Sequence, residues 1–259
     1  MRRAGLAGAA AVAMIAIVLG LAAEPSDGPG VGTIAAARAD NDDTAPASEM
    51  VGRSVRGKPI IATRYGDATS ERVVLVVGVI HGDERAGLRV VRALRRAAPA
   101  VEGAQLWLIP TVNPDGLRAH MRKNAHGVDL NRNFPYRWRD DVPHSNGYYP
   151  GPRPSSEPET RSVIAFIRRI QPDLSIWYHQ PWGAVLACRG RPPIAAEYAK
   201  LVGMRTSCRG KGLHGTAITW EMHTFPGSSA FVVEMPPGNI SGGSAARQAR
   251  AALTVAEGR

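Results

Sequence analysis

Residues 73–80 have the sequence VVLVVGVI and are followed directly by HGDE at residues 81–84. The first segment is uncharged and rich in β-branched residues, which predicts a buried strand that ends in a loop. In open α/β sheets, ligands bind beyond the carboxyl ends of the strands. His81 and Glu84 therefore lie where a site is expected, and an imidazole and a carboxylate three positions apart can bind the same small cation.

Strand and helix patterns alternate beyond residue 50. Helical patterns cover 84–98, 155–170, 193–202 and 244–256, the second with Ser155 or Ser156 as its N-cap, and short apolar strands cover 104–109, 174–178 and 230–233. The irregular stretch 113–158 is long enough to suggest a functional loop. Such alternation predicts an α/β domain with helices packed over a mostly parallel sheet, and it leaves the strand order open.

The N-terminal region differs in composition from the rest of the chain. Residues 1–23 have a short basic start and then an uncharged apolar stretch, which predicts a secretory signal peptide or a retained N-terminal membrane anchor. Residues 24–49 are rich in Gly, Pro, Ala, Asp and Ser, which predicts a disordered linker. We therefore expect a folded domain at 50–259 and a location outside the cytoplasm, whether secreted, periplasmic or membrane-anchored.

The net charge of the chain indicates which classes of binding partner to expect. The formal net charge is +10, but no basic stripe interleaved with aromatic residues is present, so nucleic acid is not expected as a partner. A basic surface instead suits an anionic cell envelope or an anionic substrate.

Cys188 and Cys208 are the two cysteines, and in an oxidising compartment they predict one disulfide, with two unpaired thiols as the alternative. We expect the protein to be a monomer.

Three strand ends carry polar residues. His81 and Glu84 follow the first strand, His179 follows the strand at 174–178, and Glu234 lies in the apolar segment FVVEMP near the last strand. Two histidines and one glutamate make a protein ligand set for one zinc ion with a position open for water, and a second glutamate is then free to act as a base. Each residue alone also fits a structural role: a hydrogen-bonded histidine at a strand end, or an edge glutamate that faces solvent. Burial of Glu234 without a partner would be costly, which favours the site.

The segment DLNRNF at 129–134 makes the chain resemble the zinc carboxypeptidase family, particularly its short bacterial branch of murein peptide amidases, which are γ-D-glutamyl-diaminopimelate peptidases. The other matching segments, in chain order, are GRSVRGKPI at 52–60, HxxE at 81–84, NPDG at 113–116, GVDLNRNF at 127–134, SEPET at 156–160, His179 and FVVE at 231–234. The resemblance extends over about residues 50–257, and it implies a mostly parallel, mixed central sheet with helices on both faces.

The resemblance also implies the roles of the metal-site residues. It assigns His81, Glu84 and His179 as ligands of one zinc ion and Glu234 as the catalytic glutamate. Asp129 matches an aspartate that orients the first zinc histidine, and such a contact fixes the tautomer and the ring angle.

Substrate-binding residues follow from the same resemblance. Asn131 and Arg132 resemble the pair that holds the terminal carboxylate of the substrate, and a planar guanidinium suits that contact. Arg122 lies where the family keeps an arginine that polarises the scissile carbonyl, although Arg118 and Lys123 are close in sequence.

The chain departs from the family in one respect. Large digestive members keep a mobile tyrosine between the third zinc ligand and the catalytic glutamate, whereas this chain has only Tyr198 there, within a predicted helix. Either Trp220, His223 or His214 takes that place, or no side chain does.

Together these features predict a zinc-dependent metallopeptidase that hydrolyses an amide bond at or near a free C-terminal carboxylate, in cell-wall (murein) peptides. The alternatives are a protein or peptide metallocarboxypeptidase, an N-acyl amino acid deacylase of the succinylglutamate desuccinylase or aspartoacylase type, and a non-catalytic domain that binds wall peptides. The presence of Glu234 favours catalysis, since binding alone does not need a base.

Overall fold

The computed structural model describes residues 44–186, 193–209 and 212–258. The strands in this part of the chain are β1 (Ala47–Arg53), β2 (Pro59–Gly66), β3 (Val73–Val77), β4 (Gln105–Ile109), β5 (Leu174–His179), β6 (Ala184–Leu186), β7 (Arg205–Ser207) and β8 (Ser229–Glu234). The α-helices are α1 (Ala86–Ala97), α2 (Pro114–Ala119), α3 (Pro158–Ile170), α4 (Pro193–Val202), α5 (Ala217–Thr224) and α6 (Gly242–Ala256). Short 3-10 helices cover Ala98–Ala100 and Leu130–Arg132.

The strands form one mixed sheet in the order β1-β2-β4-β3-β5-β8-β6-β7. Its centre is parallel, because β3 pairs in parallel with β4 and β5, and β5 pairs in parallel with β8. The β1–β2, β2–β4 and β6–β8 pairs are antiparallel, and β6–β7 is parallel. The predicted mostly parallel, mixed sheet is therefore confirmed.

Side-chain alternation in the central strands produces two cores. In β3, Val74 and Val76 join the core beneath α1, α4 and α6, whereas Leu75 and Val77 join the core beneath α3 and α5. Because both faces of the sheet are covered, β3 is apolar along its length rather than alternating with polar residues. Helices lie on both faces, as the resemblance implied.

Several element boundaries differ from the sequence prediction. The first strand begins at Ala47, ahead of the expected domain start at residue 50. The stretch 113–158 is not irregular throughout, since α2 begins at Pro114 with Asn113 as its cap. The N-cap of α3 is Glu157 rather than Ser155 or Ser156, because Ser155 has a positive φ of 53° and the Ser156 hydroxyl donates to Glu157.

Some predictions fall wholly or partly outside the described residues. The signal peptide or anchor at 1–23 lies there, as do Cys188 and all of the predicted linker before residue 44. Cys208 is exposed after β7, and the disulfide stays a prediction. Within the part of the chain that the structure describes, no helix combines the length and the apolar character needed to cross a bilayer.

Helix α5 contains a fully buried glutamate, Glu221. One of its carboxyl oxygens accepts hydrogen bonds from Ser175 of β5 at 2.5 Å and from Ser228 at 3.2 Å. Burial outweighs these bonds and raises the pKa of Glu221 from its ordinary value of 4.5 to about 7. The folded protein therefore binds this proton more tightly than the unfolded chain does.

Replacing Glu221 by Gln is expected to remove a pH dependence of stability. The stabilisation by the neutral Glu221 carboxyl is complete below its unfolded pKa and is lost as the pH rises through the folded pKa of about 7. The stability of Glu221→Gln relative to the wild type should therefore rise by roughly 3 kcal/mol between about pH 5 and pH 8. Urea unfolding across this range measures it. Glu197→Gln, on the exposed side of α4, is the control, and a constant difference for Glu221→Gln would refute the assignment.

Candidate metal centre and substrate cavity

The strand order brings the predicted site residues to one edge of the sheet. Strands β3, β5 and β8 are successive neighbours, and their carboxyl ends point the same way. His179 and Glu234 are the last residues of β5 and β8 and lie opposite each other in the register of that pair. His81 follows β3 after a three-residue extension. Three segments that are distant in sequence therefore place their side chains at the same edge of the sheet.

The turn at His81 is fixed by close packing against α2. A Cβ on Gly82 would lie 2.0 Å from the backbone carbonyl carbon of Gly116, so only glycine fits at position 82. The Asn113 side chain donates to the carbonyl of Ile80 and accepts the N–H of Gly116. Asn113 therefore ties the start of α2 to the residue that precedes His81.

His81, Glu84 and His179 form a buried donor cluster. The Nδ1 atoms of His81 and His179 each lie 2.8 Å from a different carboxyl oxygen of Glu84. One ligand atom from each residue lies within 4.8 Å of the others. Two imidazole nitrogens and one carboxylate that converge from separate elements match the protein ligand set of a catalytic zinc site. These residues therefore fit the metal that the sequence predicts.

Asp129 lies behind His81, on the far side of the ring from Glu84. Its Oδ1 is 3.0 Å from Nε2 of His81 and also accepts the N–H of Asn131 at the start of the 3-10 helix. Such a contact fixes the ring so that Nδ1 faces Glu84 and the metal position. Asp129 is fully buried, and this is the position that the predicted orienting role requires.

Both carboxylates of the centre are held ionised. Burial alone would raise the pKa of Glu84, but His81 and His179 bring it far below its usual range. For Asp129, His81 and Arg122 likewise overcome burial and keep the pKa far below its usual range. Two ionised carboxylates beside the imidazole nitrogens of His81 and His179 favour a bound cation.

Arg122 connects the two carboxylates. Its Nε and Nη2 donate to one oxygen of Asp129 at 3.0 and 2.9 Å, and its Nη1 donates to Glu84 at 3.0 Å. Arg122 lines the cavity described next, whereas Arg118 is exposed on α2 and the Lys123 ammonium donates to carbonyls of the loop at 144–146. Of these three basic residues, the structure brings only Arg122 to the metal centre.

A cavity of about 570 Å³ opens in front of the donor cluster. Its walls include the predicted substrate residues Asn131 and Arg132, the predicted base Glu234, and apolar side chains such as Leu186 and Ile218. The side-chain oxygen of Asn131 accepts the N–H of Ala217 at the start of α5, which fixes the orientation of its amide. The residues predicted to bind zinc, to bind substrate or to act in catalysis thus meet at this cavity, with Asp129 buried behind His81.

Glu234 is suited to proton transfer. It is 6% exposed, and its Oε2 is buried without a hydrogen-bond partner among the described residues. Burial and the nearby charge of Glu84 raise the pKa of Glu234 to about 7. A carboxylate with a pKa near neutrality can take a proton and return it during one reaction cycle.

None of the three residues considered for the place of the family tyrosine lines this cavity. Trp220 is buried against Phe134 and Phe225, and the His223 ring stacks on Tyr136. His214 lines a separate, smaller cavity of about 180 Å³.

Gln180 and Tyr148 are among the residues of the cavity wall that sequence reasoning missed. The Gln180 side chain accepts the N–H of Ala86 and donates to the carbonyls of Pro236 and Gly238, so it joins α1 to the loop after β8. The sequence feature that could have predicted Gln180 as a site residue is its position directly after His179. Tyr148 lies in the long loop before α3, and no periodic pattern marks it.

Metal-dependent hydrolases combine protein ligands on one side of a cavity with a free base on the other. The profile of the zinc carboxypeptidase family matches residues 36–187. Since this match covers more than half of the 259 residues, the chain belongs to the zinc carboxypeptidase family.

Named relatives agree with this assignment. Murein peptide amidase A of Escherichia coli strain K12 is 36% identical over 168 residues, which span 60% of this chain and 66% of the relative, just under two thirds. Carboxypeptidase SOL1 of Arabidopsis thaliana is 30% identical over 155 residues, 53% of this chain and 29% of the relative. The crystal structure of murein-tripeptide amidase MpaA from Escherichia coli O157 superposes with a TM-score of 0.68 at 27% identity, over 85% of this chain and 95% of that one.

Proposed function

We propose that this protein is a zinc-dependent metallopeptidase that hydrolyses an amide bond at or near a free C-terminal carboxylate in murein peptides. The observation that carries the proposal is the meeting, in one cavity, of a His-Glu-His donor cluster, the Glu234 carboxyl with its unpartnered Oε2, and the guanidinium of Arg132. Hydrolysis needs the first two, and recognition of a carboxylate needs the third.

One zinc ion would be held by His81, Glu84 and His179, whose donor atoms converge. When bound, zinc lowers the pKa of a water ligand toward about 7 and polarises a carbonyl oxygen. Asp129 holds the His81 ring in the tautomer that presents Nδ1 to the metal position.

Glu234 performs the proton transfers. In the carboxylate form it takes a proton from the attacking water, and as an acid it returns that proton to the departing amine. Its pKa of about 7 makes both forms accessible near neutral pH. The Oε2 atom has no hydrogen-bond partner among the described residues, so this oxygen is free for the exchange.

Arg132 and Asn131 hold the substrate carboxylate. A guanidinium forms paired hydrogen bonds with a carboxylate, and such charge-assisted bonds are about twice as strong as neutral ones. Arg122 has committed three of its five N–H groups to Asp129 and Glu84. Its remaining donors are the ones available to polarise the scissile carbonyl.

Murein peptides are the proposed substrates because two relatives are named for them, one 36% identical over 60% of this chain and one whose structure covers 85% of it. A protein or peptide carboxypeptidase is the second candidate, since SOL1 is also similar in sequence. We further propose an extracytoplasmic location for the protein, because the basic, apolar N-terminus predicts export and murein is found outside the cytoplasm.

The decisive experiment compares free and amidated C-termini. Zinc-loaded protein should cleave the tripeptide L-Ala-γ-D-Glu-diaminopimelate and should cleave its C-terminally amidated form about a hundredfold more slowly, since the amide loses the charge-assisted pair. A general peptide with a free C-terminus distinguishes the two candidate functions: a peptide carboxypeptidase should cleave it, and a murein peptide amidase should not. No cleavage of any of these peptides would refute the peptidase proposal.

Arg132→Gln is expected to remove the preference for the free carboxylate. The variant should lower kcat/KM for the free tripeptide by about a hundredfold and leave the amidated tripeptide nearly unchanged, since Arg132 contributes two charge-assisted bonds to the former only. Steady-state kinetics on both peptides measures this effect. Arg118→Gln, exposed on α2, is the matched control. Equal losses on both peptides would show that Arg132 does not bind the carboxylate.

A further inference from the structure

Tyr148 lies over the two arginines of the cavity. The centre of its ring is 4.9 Å from Cζ of Arg122 and 5.4 Å from Cζ of Arg132. The side chain is 53% exposed, so it does not belong to either core. It lines both the main cavity and the smaller one beside it.

The loop that carries Tyr148 is tied to the site by the two residues that follow Tyr148. The Asn146 side chain accepts the N–H of Tyr148 at 2.8 Å. The carbonyl of Tyr149 accepts the N–H of Asp129 at 2.8 Å, and the carbonyl of Pro150 accepts the side chain of Asn133 at the same distance. The position of the ring is therefore coupled to the segment that holds both the orienting aspartate and Arg132.

The contact has a physical consequence for the arginines. Two guanidinium groups near one cavity repel each other, and the negative face of one aromatic ring attracts both. A guanidinium that lays its plane on a ring keeps its N–H edge free for hydrogen bonding. Tyr148 can thus hold the two charges together while leaving their donors available to a carboxylate and a carbonyl.

We propose that Tyr148 is a positioning residue for substrate recognition, which holds Arg132 beside Arg122 in the geometry that binds the carboxylate end of the substrate. This inference rests on the proposed function. The aromatic ring carries the role, and the hydroxyl is not needed for it. The one tyrosine between His179 and Glu234, Tyr198, cannot contribute, because it is fully buried and bonded to Tyr178 and Gln248.

The test separates binding from chemistry. In a Glu234→Gln background, which lacks the base, isothermal titration of the free and amidated tripeptides measures binding alone. Tyr148→Leu should weaken the binding of the free tripeptide about fivefold to tenfold and leave the amidated form within twofold. In the active protein the same change should raise KM for the free tripeptide by a similar factor, with kcat within about twofold. Tyr148→Phe should behave as the wild type.

The neighbouring residue Tyr149 provides the control variant for this test. Tyr149→Leu removes an adjacent ring that packs on His144 and does not line the cavity, so it should leave binding unchanged. If the Tyr148→Leu variant binds the free tripeptide as tightly as the wild type does, the inference is wrong. It is also wrong if the variant loses the same affinity for both peptides. A wild type that cleaves no peptide defeats the proposed function and this inference with it, whereas an active wild type with an unaffected Leu variant defeats this inference alone.

Discussion

Replacing Glu234 by Gln is expected to lower kcat on the free tripeptide by about a thousandfold, within the range that one general acid and base contributes. Gln keeps the size of the side chain and removes its ability to exchange a proton. The metal donors are other residues, so zinc content should stay at one ion per chain. Single-turnover kinetics with metal analysis on the same sample measures both quantities.

A second buried glutamate provides the control for this prediction. Burial raises the pKa of Glu221 to about 7, as it does for Glu234, but Glu221 bonds to Ser175 and Ser228 and does not line the cavity. Glu221→Gln should therefore retain the wild-type kcat. A Glu234→Gln variant that kept at least a tenth of the wild-type kcat would assign the base to another group.

Replacing Glu84 by Ala is expected to abolish zinc binding, with a loss of at least about a thousandfold in affinity and no measurable hydrolysis. The change removes one of three protein ligands, and second-shell changes alone cost about tenfold to a hundredfold. It also removes the carboxylate that lies against the Nδ1 atoms of His81 and His179 and that accepts from Arg122. A competition titration against a chelator, followed by metal analysis, measures the affinity.

The neighbouring acidic residue is the matched control for Glu84. Asp83 lies in the same turn but is exposed and is not part of the donor cluster. Asp83→Ala should therefore keep one zinc ion per chain at nearly wild-type affinity. If Glu84→Ala bound zinc as tightly as Asp83→Ala, the assignment of Glu84 as a ligand would be wrong.

The centre of the fold and the contents of the site were predictable from the sequence because strong local signals coincide there. Strand β3 is a continuous apolar run, and the polar residues His81, His179 and Glu234 stand out at the ends of apolar strands. Parallel strands place their carboxyl ends at one edge, so these residues were expected to meet.

The edge strands gave much weaker signals. Strand β1 is largely exposed and contains Gly52 and Arg53, while β6 and β7 have three residues each. Pairing with neighbours, rather than their own composition, makes these segments strands. Helix α5 was missed for another reason: a glutamate lies on its buried side, which disturbs the amphipathic pattern.

Contacts across the long loop could not be predicted. Tyr148 reaches the arginines because the backbone of residues 148–150 bonds to the Asn146 side chain, the N–H of Asp129 and the Asn133 side chain. Residues 148–150 contribute only backbone groups to these three bonds, so their own side chains do not reveal the contacts in the sequence.

The parallel pairing of β3, β5 and β8 joins segments that are far apart in the sequence. His179 and Glu84 are 95 positions apart, and they meet only after β5 has docked beside β3. Non-local parallel pairings of this kind are slow to form, because loop closure must precede the contacts that reward it. The three residues proposed to bind zinc are therefore expected to meet late, and an incompletely folded chain would lack the full metal site. Zinc bound only to the folded centre would shift the unfolding equilibrium toward the folded state and so stabilise the whole sheet.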